Sequence, residues 1–100
     1  MGKLIVVYWR DIPSQVMARK GRETTAKIQL SQRFQEAIDR AAMRAGKGSS
    51  NAYIEEWRRE PIECEGDLRE AAEAEVARLE ARFDDPRLER MIKAGGVTVD

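Results

Sequence analysis

Six apolar residues run without a break over positions 4–9 (LIVVYW), the longest such run in the chain. β-Branched and aromatic types dominate it, and polar residues do not alternate with them. That pattern predicts a strand apolar on both faces, at the centre of a sheet or covered on both sides. Asp11-Ile12-Pro13-Ser14 follows. Pro13 donates no N–H and disfavours helix at Ile12, so a turn is expected over these four residues. Residues 15–20 and 22–30 then read as the two arms of a hairpin around Gly21. In the second arm Thr24, Ala26, Ile28 and Leu30 alternate with polar positions, which places them on the core face with Val16 and Ala18. Three antiparallel strands in a meander result.

The period then changes. Phe34, Ile38, Ala41, Ala42 and Ala45 recur at helical spacing behind Ser31, a good N-cap, and predict a helix over 32–45 that ends at Gly46. Glu36 and Arg40 are spaced to pair on its wet side. Residues 47–51 read as a loop. Residues 51–57 read as a short helix capped by Ser50 that buries Ile54 and Trp57. After Pro61, residues 62–65 read as a short edge strand with Ile62 and Cys64 inward. A long acidic helix comes next. Asp67 at the N-cap and Glu70 at N3 form a capping box, and Leu68, Ala72, Val76, Leu79 and Phe83 make its buried stripe. Asp85 as N-cap and Pro86 at N1 start a last helix, with Leu88, Met91 and Ile92 inward and Gly95-Gly96 at its end. The sum is an α+β fold: a small antiparallel sheet of three to four strands with helices packed mainly on one face. Residues 1–96 are expected to form one domain and residues 97–100 a flexible C-terminal tail.

Composition adds two constraints. The 100 residues can bury one modest core, and 36% of them are charged, against roughly 25% in an average domain. Net charge is zero, yet residues 1–50 hold ten Lys/Arg against four Asp/Glu, and residues 51–100 hold eight against fourteen. That asymmetry fits either two halves of one neutral domain or a bipolar surface that orients a partner. With Cys64 as the single cysteine and no run near the roughly 20 apolar residues of a membrane span, a cytoplasmic protein is expected.

There is no histidine. Its absence removes the usual general base near neutral pH, the Ser–His and Cys–His pairs, and the commonest metal ligand. One cysteine cannot build a zinc site. Cys64 reads as a small hydrophobe more readily than as a nucleophile, because Glu63 and Glu65 flank it. Glu55, Glu56 and Glu60 are the carboxylates available for acid–base work, although such residues usually make a solvated face. Residues 46–50 (GKGSS) lack the spacing of a phosphate loop. Two arginine–aromatic groups carry more information: Trp9-Arg10-Asp11 and Trp57-Arg58-Arg59 have the composition of interface anchors. The other candidate surface is the basic hairpin, Arg19, Lys20, Arg22 and Lys27, with Tyr8 and Trp9 nearby, which would suit single-stranded nucleic acid. Zero net charge weighs against it.

The segments YWRDIPSQV, KGR, LSQRFQEAIDRAAMRAG, AYIEEWRR and EGD resemble the small bacterial "virulence factor" domain family over about residues 3–92. The chain is also similar to the C-terminal domain of a larger staphylococcal protein, conserved virulence factor C. The resemblance transfers no catalytic residue and no cofactor. It implies a non-enzymatic accessory or protein-interaction module serving folate- or cobalamin-dependent methyl transfer, in one-carbon or methionine metabolism. The larger partner would be a corrinoid or folate-dependent methyltransferase component. On this reading Trp9, Arg10, Asp11, Trp57, Arg58 and Arg59 form the interaction site, and alanine at Arg10 or Arg58 would leave stability nearly unchanged. Single-stranded nucleic-acid binding through the hairpin is the alternative. A small enzyme built on carboxylates and arginines is the third reading.

Overall fold

In the computed structural model, which describes residues 2–98, the chain folds as β1 (Gly2–Trp9), β2 (Ile12–Lys20), β3 (Glu23–Gln29), α1 (Gln32–Arg44), α2 (Ser50–Glu55), β4 (Trp57–Cys64), α3 (Leu68–Arg82) and α4 (Asp85–Lys93). The strands form one antiparallel sheet in the order β3-β2-β1-β4. The fold is α+β, and the unbroken apolar strand lies inside the sheet, as its pattern predicts.

Only Arg10 and Asp11 connect β1 to β2, with Trp9 opposite Ile12. The turn is therefore shorter and earlier than the expected one over 11–14, and Pro13 lies inside a strand. A bulge makes room for it. Val7 faces Gln15 but Tyr8 faces Pro13, so Ser14 is the extra residue and the missing proline N–H falls at a break in the ladder. A second bulge lies further along. Ala18 faces Ala26 but Arg19 faces Thr24, and the extra Thr25 donates its hydroxyl to Ala18 O at 3.3 Å. This slip turns Thr24 off the core face, where alternation alone placed it, and Thr24 is exposed.

The fourth strand departs most from expectation. The short helix stops at Glu55, and Trp57 opens a strand that pairs with β1 along its whole length. A six-residue helix has little stability of its own, so sheet pairing takes Trp57 from it. Ile54, expected in the core, is 63% exposed, and Ile62, expected inward, is 39% exposed. The Arg10 N–H donates to Glu56 O at 3.0 Å, which sets the phase of the ladder. Arg58, Glu60 and Ile62 turn their backbone groups toward β1, while Arg59, Pro61 and Glu63 turn theirs to the free edge. Pro61 thus deletes an edge donor that the sheet does not use, and it blunts that edge against a further strand.

Helices α1, α3 and α4 cover one face of the sheet. Leu4, Val6, Val16, Ala18 and Ala26 share one buried cluster with Phe34, Ile38 and the alanines of α1, with Ala72, Leu79 and Phe83, and with Leu88, Met91 and Ile92. The capping box holds: Asp67 accepts from the Glu70 N–H. The last helix starts one residue early, with Asp84 as N-cap accepting from the Arg87 N–H and Pro86 in its first turn. Ser49, not Ser50, precedes α2. Ser31 occupies the expected cap position but its side chain bonds to α3 at the surface instead of along its own helix. Its N–H and hydroxyl donate to the Glu80 carboxylate at 2.6 and 2.9 Å. Partial burial works to raise the pKa of Glu80, but the Ser31 bonds and Arg33 outweigh it and hold the carboxyl below its ordinary 4.5. Arg40 pairs with Glu89 of α4 at 2.8 Å rather than with Glu36.

Candidate functional site

The corner where β1 meets β2 closes on itself. Arg10 sits at a φ of 53°, a left-handed conformation that side chains other than glycine seldom adopt. Three contacts hold it there. Its N–H reaches Glu56 O, its Nη1 donates to Gly95 O at 3.0 Å, and its Nε pairs with Glu56 Oε1 at 3.2 Å. The Asp11 N–H donates to Gly96 O at 2.9 Å, and Asp11 Oδ2 accepts from the Thr98 N–H at 2.7 Å. The segment after α4 is thereby latched over the turn; the remainder of the expected tail, residues 99–100, lies outside the described residues. Trp9 is 0% exposed. Its Nε1 donates to Tyr53 O at 2.9 Å, its ring stacks on Tyr53, and Tyr53 meets Trp57 edge-on. Gly96 abuts the indole so closely that a Cβ there would lie 2.8 Å from Trp9.

Arg58 belongs to the same corner. It donates to Arg10 O, pairs with Asp11 and Glu60 at 3.3 Å each, and lies over the Tyr8 ring. Lys47 adds a contact to Glu56 at 3.6 Å. Of the six expected interaction residues, then, Trp9 offers no surface, and Arg10, Asp11 and Arg58 are committed to internal bonds. The expectation that Arg10 is dispensable for stability does not fit these contacts. Glu56 and Glu60, two of the carboxylates considered for acid–base work, serve as partners in this network.

Of the other two residues, Arg59 lies on the far face of the sheet, and Trp57 joins the two regions, touching Tyr53 and the main core on one side and the second cluster on the other. Register puts Lys3, Ile5 and Val7 of β1 on one face with Gln15, Met17 and Arg19 of β2, Lys27 and Gln29 of β3, and Trp57, Arg59, Pro61 and Glu63 of β4. Ile5, Val7 and Met17 form a second buried cluster that Trp57 packs against. Among the described residues, every buried helical residue belongs to the first cluster, and α2 reaches this face only at its end, through the contact of Tyr53 with Trp57. The three apolar side chains are nonetheless no more than 9% exposed. Long Lys and Arg side chains border them, and such side chains can lay aliphatic stems on an apolar floor while their charged heads reach water. Among the described residues, none of Lys3, Arg19, Lys27 and Arg59 has a carboxylate within 4.0 Å. This open face is what the sequence reading missed. The signal was present: in a strand apolar on both sides, with helices expected mainly on one face, the other apolar row must lie uncovered.

The basic hairpin divides. Arg19 and Lys27 point to the open face, while Arg22 accepts a bond from Arg19 through its carbonyl at the tip. Tyr8 and Trp9 are not near this tip. Lys3 is the residue opposite Arg19, and six residues of strand at about 3.3 Å each separate Lys3 from Trp9. Lys20 lines a cleft of about 470 Å³ with Gly2, Thr25, Cys64 and Leu68. Cys64 is half-buried and packs against the main core, as expected of a small hydrophobe. Among the described residues there is no group of three His, Cys, Asp or Glu that could hold a metal ion, and no helix long and apolar enough to cross a membrane.

No curated protein and no solved structure matches the chain significantly. A protein-family model described as "Virulence factor" matches residues 7–92, from the second half of β1 to the end of α4. The matched segment includes the strand residues of the corner, Trp9, Arg10, Asp11, Glu56 and Arg58, though not the latch at Gly95, Gly96 and Thr98, and most of the open face; the chain belongs to this virulence factor family.

Proposed function

We propose that the domain is a non-enzymatic interaction module that attaches to a larger protein through the open face of its sheet. One observation carries this reading: among the described residues, four cations without a carboxylate within 4.0 Å border three apolar side chains on a face against which no buried helical residue packs. A charged group already paired within its own chain loses that pairing on binding, whereas an unpaired one gains. Trp57 and Arg59 remain interaction residues on this reading, and Lys3, Arg19 and Lys27 join them. Arg58 becomes a structural residue. The family resemblance makes a corrinoid or folate-dependent methyltransferase component the first partner to try, and one-carbon or methionine metabolism the setting. Single-stranded nucleic acid is supported less well, because the floor between the cations is built from Ile5, Val7 and Met17, and the ring beside it, Trp57, is half-buried at one end.

Affinity co-purification from a lysate of the native host tests the proposal. Arg59→Glu should abolish capture of whatever the wild-type chain captures and leave the unfolding midpoint unchanged. Arg58→Ala should keep capture and lower stability by about 1 kcal/mol, the scale of partly exposed charge-assisted contacts. The reverse pattern would move the interaction site back to the corner.

A further inference from the structure

The open face selects its occupant by charge and shape, and we infer that this occupant is an acidic amphipathic helix of another protein, its apolar stripe seated on Ile5, Val7 and Met17. The inference rests on the open-face reading above. Three features support it. Among the described strand residues the rim carries Lys3, Arg19, Lys27 and Arg59 against one carboxylate, Glu63, so a partner that meets it gains by bringing carboxylates. A sheet four strands wide, at about 4.8 Å between strands, makes a platform of roughly 14 Å, enough for one helix of about 10 Å diameter. The opposite face of this sheet already carries a helix in that way: the buried side of α3, Ala72 and Leu79, packs in one cluster with Leu4, Val6 and Ala18.

The same features turn other occupants away. Two copies meeting through this face would set cation against cation. An added strand on β4 would find Pro61 in place of a donor at the free edge. A helix brings its own backbone bonds and needs only side-chain contacts, with apolar residues at helical spacing and acidic residues flanking them. The Lys and Arg side chains that border the floor are long and flexible and can swing outward to meet those acids.

The probes are two synthetic helical peptides with the same leucine stripe, one flanked by glutamate and one by lysine, and a twelve-nucleotide oligouridine. Each is titrated into the isotope-labelled chain while the methyl signals of Ile5, Val7 and Met17 are followed. The glutamate peptide should shift these three methyls, bind at least tenfold more tightly than the lysine peptide, and weaken at least tenfold when Lys27→Glu and Arg59→Glu are combined. Equal binding of both peptides, shifts confined to other methyls, displacement of the glutamate peptide by oligouridine, or self-association of the chain through this face would each overturn the inference. The two readings fail separately. If the charge-reversed chain loses its lysate partners while neither peptide reaches the floor, the helix is wrong and the open face stands. If the charge-reversed chain keeps those partners, the open-face reading itself fails.

Discussion

At the corner, Arg10, Lys47 and Arg58 face Asp11, Glu56 and Glu60 in a closed set of ion pairs. On the open face, Lys3, Arg19, Lys27 and Arg59 have no such partners among the described residues. Both regions combine arginine with tryptophan, and in sequence they overlap: Trp57, Arg58 and Arg59 are consecutive. Strand geometry separates them. Successive side chains of β4 point to opposite faces, so Arg58 turns to the corner and Arg59 to the open side. Composition marks both as interface anchors, but only the second has charge left unmatched. The corner ties its charges into the fold, and the open face leaves its cations without a carboxylate within 4.0 Å among the described residues.

Three perturbations can break or sharpen this contrast. The largest effect belongs to Trp9→Ala. Removing a fully buried indole, its bond to Tyr53 O and its support for Gly96 should cost about 3–5 kcal/mol of unfolding free energy by urea titration. A loss under about 1 kcal/mol would mean that the corner is not the structural lock described above. Gly96→Ala comes next. Gly96 has a φ of 99° and a Cβ would meet Trp9, so backbone strain and overpacking together should cost about 2–3 kcal/mol. Alanine at Gly21, at the hairpin tip, meets nothing within 4 Å and makes the control for positive φ alone.

The smallest effect is a pH dependence at Tyr8, which lies beneath Arg58. Partial burial, then Glu75 and Glu60, push its phenol above the ordinary 10.0, with Arg58 and Arg82 opposing. A raised folded-state pKa means that the fold favours the neutral phenol. That contribution is complete below pH 10.0 and is lost as pH rises through the raised value. Tyr8→Phe should therefore flatten the decline in urea midpoint between about pH 9 and 11. An identical decline in both proteins would show that Tyr8 does not sense burial at this corner.

The central strand, the capping box at Asp67, the apolar stripes of the three longer helices and the α+β class could all be read from residue order, because each depends on neighbours within a turn or a strand. The same holds for Cys64 as a small packed side chain. Trp57 shows where that reading stops. Its helix is too short to persist alone, and the strand that claims it pairs with β1 some fifty positions away. Two bulges did the same to Pro13 and Thr24: one extra residue reverses which face follows, and no local pattern announces it.

Residue order by itself determined which segments are apolar enough to be scaffold, and it removed histidine and multi-cysteine chemistry outright. Only the tertiary structure decided which arginines are matched. An ion pair forms between residues distant in the chain, as Arg58 with Asp11 and Arg10 with Glu56 do. Whether a charge is spent inside the fold or left for a partner is therefore a property of the assembled sheet rather than of any stretch of sequence.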